Sequence, residues 1–195
     1  MSLEETKKIL LQIKRAGGIA RRYFVTNGFD GALTMLGMMS GFYSRENVDP
    51  QIALGAALGA TIALFMSGLS SAYMSESAER QKELHELEQA LITDLEQTDI
   101  GKASRYLPVI IALVNGLSPL FIALLILTPL WLPRFGLSLP VSPFLAAILI
   151  ALTCTFLLGL FLGTISKTFW LWSGLRTLAI AIATMAIIFF FKSTI

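Results

Sequence analysis

The stretch 23–42, YFVTNGFDGALTMLGMMSGF, decides how the rest of the chain is interpreted. It is mostly apolar and long enough to cross a bilayer as a helix, and Arg21 and Arg22 directly precede it. Asp30 is the only charged residue within it, eight residues after Arg22 and therefore about 12 Å further along a helix. A mid-span aspartate costs about 2.5 to 3.5 kcal/mol on insertion scales, so such residues usually face a cavity, a partner or an ion. Asp30 is accordingly the first candidate functional residue. The alternative is a structural carboxylate, either neutral or paired with a neighbouring helix.

The composition is that of an integral membrane protein. Of 195 residues, 55% are hydrophobic and 14% are charged, and the mean hydropathy is +0.71. The single cysteine, Cys154, lies in an apolar run, so it is expected to pack, and a disulfide framework is excluded. The first 20 residues are charged and amphipathic and contain no signal-peptide apolar region, so the first span is expected to act as the insertion signal.

Five apolar stretches are long enough to span a bilayer, namely residues 23–43, 52–74, 107–132, 141–165 and 169–191. We therefore predict an all-α integral membrane protein with five transmembrane helices. An amphipathic cytoplasmic helix (1–20) precedes the first two spans (21–75). An acidic cytoplasmic helical segment (76–104) separates them from the last three spans (105–195).

Glycines and prolines predict where these helices end or bend. Gly17 and Gly18 are expected to end the N-terminal helix before the first span. Pro108, Pro119 and Pro129 are expected to kink or break the third span, because proline removes a helical hydrogen bond.

Basic residues alternate between rich and poor segments, which predicts a cytoplasmic N-terminus and an external C-terminus. The segments expected on the cytoplasmic side carry Lys7, Lys8, Lys14, Arg15, Arg21, Arg22, Arg80, Lys82, Lys102, Arg105 and Lys167, with Arg176 near the last of them. The segments expected on the other side carry Arg45, Arg134 and Lys192.

The first span presents several candidate metal ligands close to Asp30. Asn27 and Thr34 lie about one turn from it on the same side of a helix, and Met38 lies one turn beyond Thr34. Oxygen ligands suit divalent cations, and a thioether favours later transition metals. For the methionine, the alternative is apolar packing.

Small residues on the same span predict close helix packing. Gly31 follows Asp30 directly, and Gly37 and Gly41 form a GxxxG pair that allows contact within or between subunits. Two further pairs at this spacing are Gly55 with Gly59 and Gly159 with Gly163.

The second span has a polar stripe near its predicted cytoplasmic end. Ser67, Ser70, Ser71 and Met74 share one face, with Met66 beside them. Met66 and Ser67 are candidate ligands, and the alternative for each serine is a hydrogen bond within the membrane.

Eight of the thirteen acidic residues lie within 76–99, and four of them share one helical face: Glu76, Glu79, Glu83 and Glu86. Such a face could collect cations beside the membrane. The alternative is a solvated face paired with Arg80 and Lys82. His85, the only histidine, lies slightly off this face and is a weak candidate ligand. The apolar stripe next to the face needs a partner, such as the N-terminal helix or a second subunit.

Three motifs, in order along the chain, match a known family. The family pattern D-G-x-x-T-x-x-G-x-x-x-G is matched at Asp30, Gly31, Thr34, Gly37 and Gly41. The segment SSAYMSESAER resembles the family's GEYVSVKSQR, with matches at Tyr73, Ser75 and Arg80. The segment WSGLRTL (172–178) is similar to the family's S-G-L-R segment. In these features the chain resembles the vacuolar iron transporter family, whose members include the yeast vacuolar iron and manganese importer.

The resemblance implies a homodimer in which the first spans line a metal path between the subunits. It implies export of Fe²⁺, and often Mn²⁺, from the cytosol in exchange for protons. Asp30 would be a pore ligand, and the Glu-rich cytoplasmic helices would capture metal. The metal would be the transported substrate rather than a tightly bound cofactor, the other partners would be protons and the lipid bilayer, and nucleic acid would not be a partner.

The chain departs from this family at two second-span positions. The family's pore methionine falls near Gly68, and the glutamate of its G-E-Y motif falls at Ala72. Met66 or Met74 would have to replace the methionine. The cytoplasmic segment is also shorter than that of the plant proteins, which bears on metal capture and on selectivity for iron.

The alternative function is that of a non-transporting membrane scaffold or sensor whose acidic helix docks a partner. An enzyme is not expected, because Asp30 is the only carboxylate deep in any predicted span and no Ser/His or Cys/His pair lies in the membrane. The expected location is a prokaryotic plasma membrane, or a vacuolar membrane if the protein is eukaryotic.

Overall fold

The computed structural model describes residues 3–45, 47–137 and 140–192, with the side chains of 3–16, 134 and 192 excepted. The described chain is helical and contains no strand. Its helices are α1 (Leu3–Tyr43), α2 (Pro50–Leu91), α3 (Asp99–Trp131), a short 3-10 helix (Leu132–Phe135), α4 (Pro143–Ser166) and α5 (Trp170–Lys192). The all-α prediction is confirmed. The apolar stripe predicted for residues 1–20 rests mostly on side chains outside the described ones.

Four of these helices, α2 to α5, are long and apolar enough to cross a membrane. They correspond in order to the second to fifth predicted spans, and they support integration of the chain into a membrane. Within the described residues, α1 does not reach the same apolarity, because its 23–43 segment includes Asn27 and Asp30 as well as glycine, serine and threonine residues.

The helices are more continuous than the sequence predicts. α1 runs through Gly17 and Gly18, so the expected break there is wrong. A glycine costs about 1 kcal/mol relative to alanine inside a helix, and good helix formers on both sides outweigh that cost. α3 likewise contains Pro108, Pro119 and Pro129 without interruption, so the third span is not broken, and the kink stays a prediction. In an apolar setting the backbone N–H and C=O groups have few hydrogen-bond partners outside the helix, so the helix persists. Proline is tolerated within it because the surrounding turns keep their hydrogen bonds.

The acidic segment is a direct continuation of the second span, as predicted. α2 has 42 residues and ends at Leu91. Its start is capped by Asp49, whose Oδ1 accepts a hydrogen bond of 2.8 Å from the backbone N–H of Gln51. The chain then turns, and α3 begins at Asp99.

The chain forms two compact units, and α1, α2 and α3 each contribute residues to both. Unit 1 comprises Met1–Phe24 and Phe65–Leu117, and unit 2 comprises Val25–Leu64 and Ser118–Ile195. In unit 1, α2 and α3 approach closely at Gly116, where an added Cβ would lie 2.9 Å from the carbonyl oxygen of Phe65.

Unit 2 is held together by close helix contacts at glycines. A Cβ at Gly31 would lie 2.8 Å from the Cα of Pro119, so α1 touches α3 there. A Cβ at Gly159 would lie 2.0 Å from the Thr177 Oγ1, and one at Gly163 would lie 2.8 Å from the Cα of Trp170. The glycine pair of α4 therefore brings α4 and α5 together within one chain.

Candidate metal site

Asp30 lies on the outer face of α1 within unit 2. The opposite face of the helix is buried, and its fully buried residues include Ala32, Met35, Leu36 and Met39. Asp30 is exposed, and no hydrogen bond or ion pair joins its carboxylate to another described residue. Helical periodicity explains the difference, since Asp30 points about 200° away from Ala32 at 100° per residue. The carboxylate is thus presented outward.

The other candidate metal ligands on α1 lie at different distances from Asp30 along the helix. Asn27 and Thr34 are half-buried and lie three and four residues from Asp30, which is about one turn in each direction. Met38 is also half-buried but lies about two turns away. The cluster nearest the carboxylate therefore offers oxygen ligands.

Two neighbouring methionines serve packing. Met35 and Met39 are fully buried, and the Thr61 hydroxyl lies 3.9 Å from the Met35 sulfur. The same hydroxyl donates a hydrogen bond of 2.8 Å to the carbonyl of Ala57, so it is satisfied within α2. Packing is therefore the role of these two side chains.

The small residues of α1 fall on different sides. Gly31 is buried against Pro119. Gly37 has only the tip of Ile188 near it, with a Cβ-to-Cδ1 distance of 3.6 Å. Gly41 has no atom within 4 Å of an added Cβ, so it lies on the same open side of α1 as Asp30.

In unit 1, the second-span candidates surround a helix contact. Met66 and Ser67 are exposed, whereas Gly68 is buried. A Cβ at Gly68 would lie 3.2 Å from the Asn115 carbonyl oxygen, and the Asn115 side-chain amide donates a hydrogen bond of 2.6 Å to the Gly68 carbonyl. There is no room for a methionine at this position, because α3 packs directly against it.

The serines of α2 bond to their own helix. The Ser70 hydroxyl donates to the Met66 carbonyl at 2.7 Å, and the Ser71 hydroxyl donates to the Gly68 carbonyl at 3.4 Å. Such bonds to a carbonyl three or four residues earlier are usual for serine within a helix.

Glu76 is the most enclosed member of the acidic face, with 7% of its surface exposed. The Tyr23 hydroxyl donates a hydrogen bond of 3.2 Å to its Oε1, and Arg80 Nη2 lies 3.6 Å from its Oε2. Arg80 also pairs with Glu83 through its other terminal nitrogen. One arginine therefore contacts two of the four glutamates and offsets one of their two charges.

The remaining two glutamates are exposed. Glu86 lies 3.9 Å from Lys82 in a loose i,i+4 pair. Glu79 has no ion-pair partner among the described residues. The pairing with Arg80 and Lys82 matches the alternative interpretation for Glu76, Glu83 and Glu86, although Glu76 is buried rather than solvated. Glu79 is left as the free carboxylate of the face.

His85 belongs to a different cluster at the end of α2. Its Nε2 lies 3.0 Å from the Gln89 amide nitrogen. Nearby, the Glu88 carboxylate accepts a hydrogen bond of 3.0 Å from the Leu95 backbone N–H, which fixes the turn before α3. Among the described residues, no group of three or more His, Cys, Asp or Glu side chains is close enough to hold a metal ion. A metal site built on Asp30 therefore requires ligands from neutral oxygens or from a second chain.

Sequence reasoning missed the roles of Tyr23 and Asn115. Tyr23 was interpreted only as the start of a span, and it instead bonds to a carboxylate 53 residues away. Asn115 was given no role, and it joins α3 to α2. An amide within an apolar helix is a usable signal for such a bond, whereas nothing local marks Tyr23.

Comparison with known proteins finds a relative of this chain but assigns it to no family. No family model matches the chain. The chain is 29% identical over 185 residues to an uncharacterized protein of Methanocaldococcus jannaschii, and the aligned region covers 89% of this chain and 88% of that protein. The similarity therefore extends over nearly the whole length of both chains.

Proposed function

We propose that this protein is a transporter of divalent metal ions, Fe²⁺ and also Mn²⁺, of the vacuolar iron transporter type. The observation that carries the proposal is the Asp30 carboxylate, which lies on the open face of α1 without a partner among the described residues. A structural carboxylate in a membrane helix is expected to be paired, because leaving it alone is costly. A ligand that binds a passing ion has to be accessible instead.

In this proposal, α1 is the first of five spans and the N-terminus is cytoplasmic. Two copies of the chain pack through the open face of α1, where Gly41 leaves room for a neighbouring helix. A homodimer would bring a second Asp30 carboxylate to the same site. Asn27 and Thr34 would supply neutral oxygens, and Met38 would lie one turn further along the path.

The proposed direction is out of the cytosol in exchange for protons. Protonation of Asp30 on the acidic side would release the ion, because a neutral carboxyl is a poor metal ligand. Glu79 and Glu86 would raise the local cation concentration at the cytoplasmic end. Glu76 and Glu83, which contact Arg80, would contribute less, and Met66 and Ser67 are exposed enough to contact an ion.

The test is metal uptake by proteoliposomes with an imposed pH gradient. Asp30→Asn is expected to lower the rate of Fe²⁺ or Mn²⁺ transport by about 100-fold, since loss even of a residue that only orients a ligand costs about 10- to 100-fold. Asp49→Asn is the matched control, because asparagine keeps the oxygen that caps α2 and removes only the charge. An Asp30→Asn protein that transports metal at the wild-type rate would exclude the proposed role.

A scaffold or sensor is the second candidate, favoured by the exposed apolar residues Leu87, Leu91 and Ile92 at the end of α2. These residues are 43%, 59% and 92% exposed, and they would form a docking patch beside the acidic face. Absence of saturable metal binding by the purified wild-type protein would favour this candidate over transport.

A further inference from the structure

Unit 2 contains a groove of about 610 Å³ that the transport proposal does not use. It is formed by residues of α1, α4 and α5, and its volume falls within the range of ligand sites in proteins. Phe29 and Leu33 of α1 and Ile180 of α5 are among its apolar walls.

The groove has a polar end at the turn from α4 into α5. Ser166 and Thr168 lie where α4 turns into α5, and Arg176 lies in the second turn of α5. Thr155 and Thr177 also line the groove, and Thr177 directly follows Arg176 in α5. Those two hydroxyls are already used, since Thr177 donates to the Thr155 carbonyl at 3.1 Å and Thr155 donates to the Ala151 carbonyl at 2.8 Å. The Ser166 and Thr168 hydroxyls are engaged as well, since Ser166 Oγ donates to the Leu162 carbonyl at 3.0 Å and lies 2.8 Å from Thr168 Oγ1. Arg176 is the charged residue among those that line the groove.

Arg176 is the unexplained group at the polar end. It is exposed, and no carboxylate among the described residues pairs with it. Its guanidinium has five N–H donors in a planar arrangement that matches a phosphate. Lys167, in the turn just before α5, is exposed and also has no ion-pair partner within the described chain. Two cations without protein partners thus lie at or near one end of an apolar groove.

The position of Arg176 along α5 places its side chain within reach of lipid headgroups. α5 has 23 residues and is therefore about 34 Å long, and Arg176 lies about 9 Å from its start. Trp170 and Trp172 occupy the same end of the helix and are largely exposed, as is usual for tryptophan at a membrane interface. From this depth an arginine side chain can extend to the headgroup region.

We propose that this groove binds an anionic phospholipid. The phosphate lies against the Arg176 guanidinium beside the Ser166 and Thr168 hydroxyls, and an acyl chain covers Phe29, Leu33 and Ile180. A small soluble anion would leave the apolar wall uncovered. A zwitterionic lipid has no net charge to offset the two cations, whereas an anionic lipid offsets one of them. The site requires only that the chain lies in a membrane, and it is independent of metal transport.

The test uses the purified full-length protein in detergent and phosphatidylglycerol with brominated acyl chains, which quench nearby tryptophan fluorescence. Trp172 lines the groove and reports occupancy. Phosphatidylglycerol is expected to bind more tightly than phosphatidylcholine of the same chain length. Each basic residue at the site should contribute about a fivefold difference in affinity. Arg176→Gln should remove most of this preference, Arg176→Lys should keep part of it, and Arg45→Gln, at an exposed loop residue, should keep all of it.

A second variant tests the acyl-chain wall without changing any charge. Ile180→Phe is expected to fill part of the groove and weaken both lipids, while circular dichroism and gel filtration check the fold. Equal affinity for the two lipids, or a preference that survives Arg176→Gln, would overturn the proposal. Displacement of the lipid by inorganic phosphate would instead assign a soluble-anion site. Dimerisation that expels the lipid would show a second copy of the chain in the groove, and either result also overturns the proposal.

Discussion

Asp30 on α1 and Glu76 on α2 are both carboxylates within long helices, yet their surroundings are opposite. Asp30 is exposed and has no described partner, whereas Glu76 is buried and contacts both Tyr23 and Arg80. Each is described within its own unit of the chain. The contrast teaches that an acidic residue in an apolar helix is a functional candidate only when its neighbours leave the charge unsatisfied.

The largest expected difference between the two carboxylates is in their contribution to the free energy of unfolding. Glu76→Ala is expected to lower the free energy of unfolding by about 2 to 3 kcal/mol, because it leaves the largely buried Arg80 with only Glu83 as a partner. Asp30→Ala is the matched control and should change it by less than about 0.5 kcal/mol, since nothing in the described chain contacts that carboxylate. Thermal unfolding in detergent measures both, and equal destabilisation by the two variants would contradict the contrast.

Alanine substitutions at two glycines compare the stability of the buried face of α1, at Gly31, with that of its open face, at Gly41. Gly31→Ala is expected to destabilise the fold by about 1 to 3 kcal/mol, because the added methyl group meets the backbone of Pro119. Gly41→Ala is expected to stabilise a single chain by up to about 1 kcal/mol, since it meets nothing within 4 Å and alanine favours helix.

The open face of α1 can also be tested by measuring the oligomeric state of a variant at Gly41. If the open face of α1 joins two copies of the chain, a larger residue such as Gly41→Leu should weaken the dimer in analytical ultracentrifugation while leaving the monomer folded. An unchanged dimer would place the interface elsewhere.

The smallest expected effect concerns the hydrogen bond to Glu76. Tyr23→Phe removes the hydroxyl that lies 3.2 Å from Glu76 Oε1, and it should cost about 1 kcal/mol of stability. Tyr73→Phe is the control, because Tyr73 is exposed and no described residue bonds to its hydroxyl. Identical unfolding of the Tyr23→Phe variant and the wild-type protein would show that Arg80 alone holds the carboxylate.

Much of the fold was predictable because hydropathy and helical periodicity are local properties. The order of the helices, the four apolar candidate spans and the continuation of the second span into the acidic segment all follow from the sequence. The break expected at Gly17 was wrong, and the span that contains Pro108 is kinked at most and not broken, because intrinsic propensity is a weak signal against the neighbouring helical turns.

The candidate site was only partly predictable. Asp30 stands out by its charge, and its face follows from the spacing of the apolar residues around it. The pairing within the acidic face could be guessed from i,i+4 spacing. The tight packing at Gly68 could not be predicted, because it depends on where Asn115 of α3 packs.

By itself the sequence determined that the chain is helical, that it is apolar enough for a membrane and that Asp30 is its most unusual charge. Only the tertiary structure decided that Asp30 is open, that Glu76 is enclosed and that Arg176 borders an apolar groove. The physical reason is separation along the chain. Tyr23 and Glu76 are 53 residues apart, and whether a charge is compensated depends on which distant residues the fold brings to it.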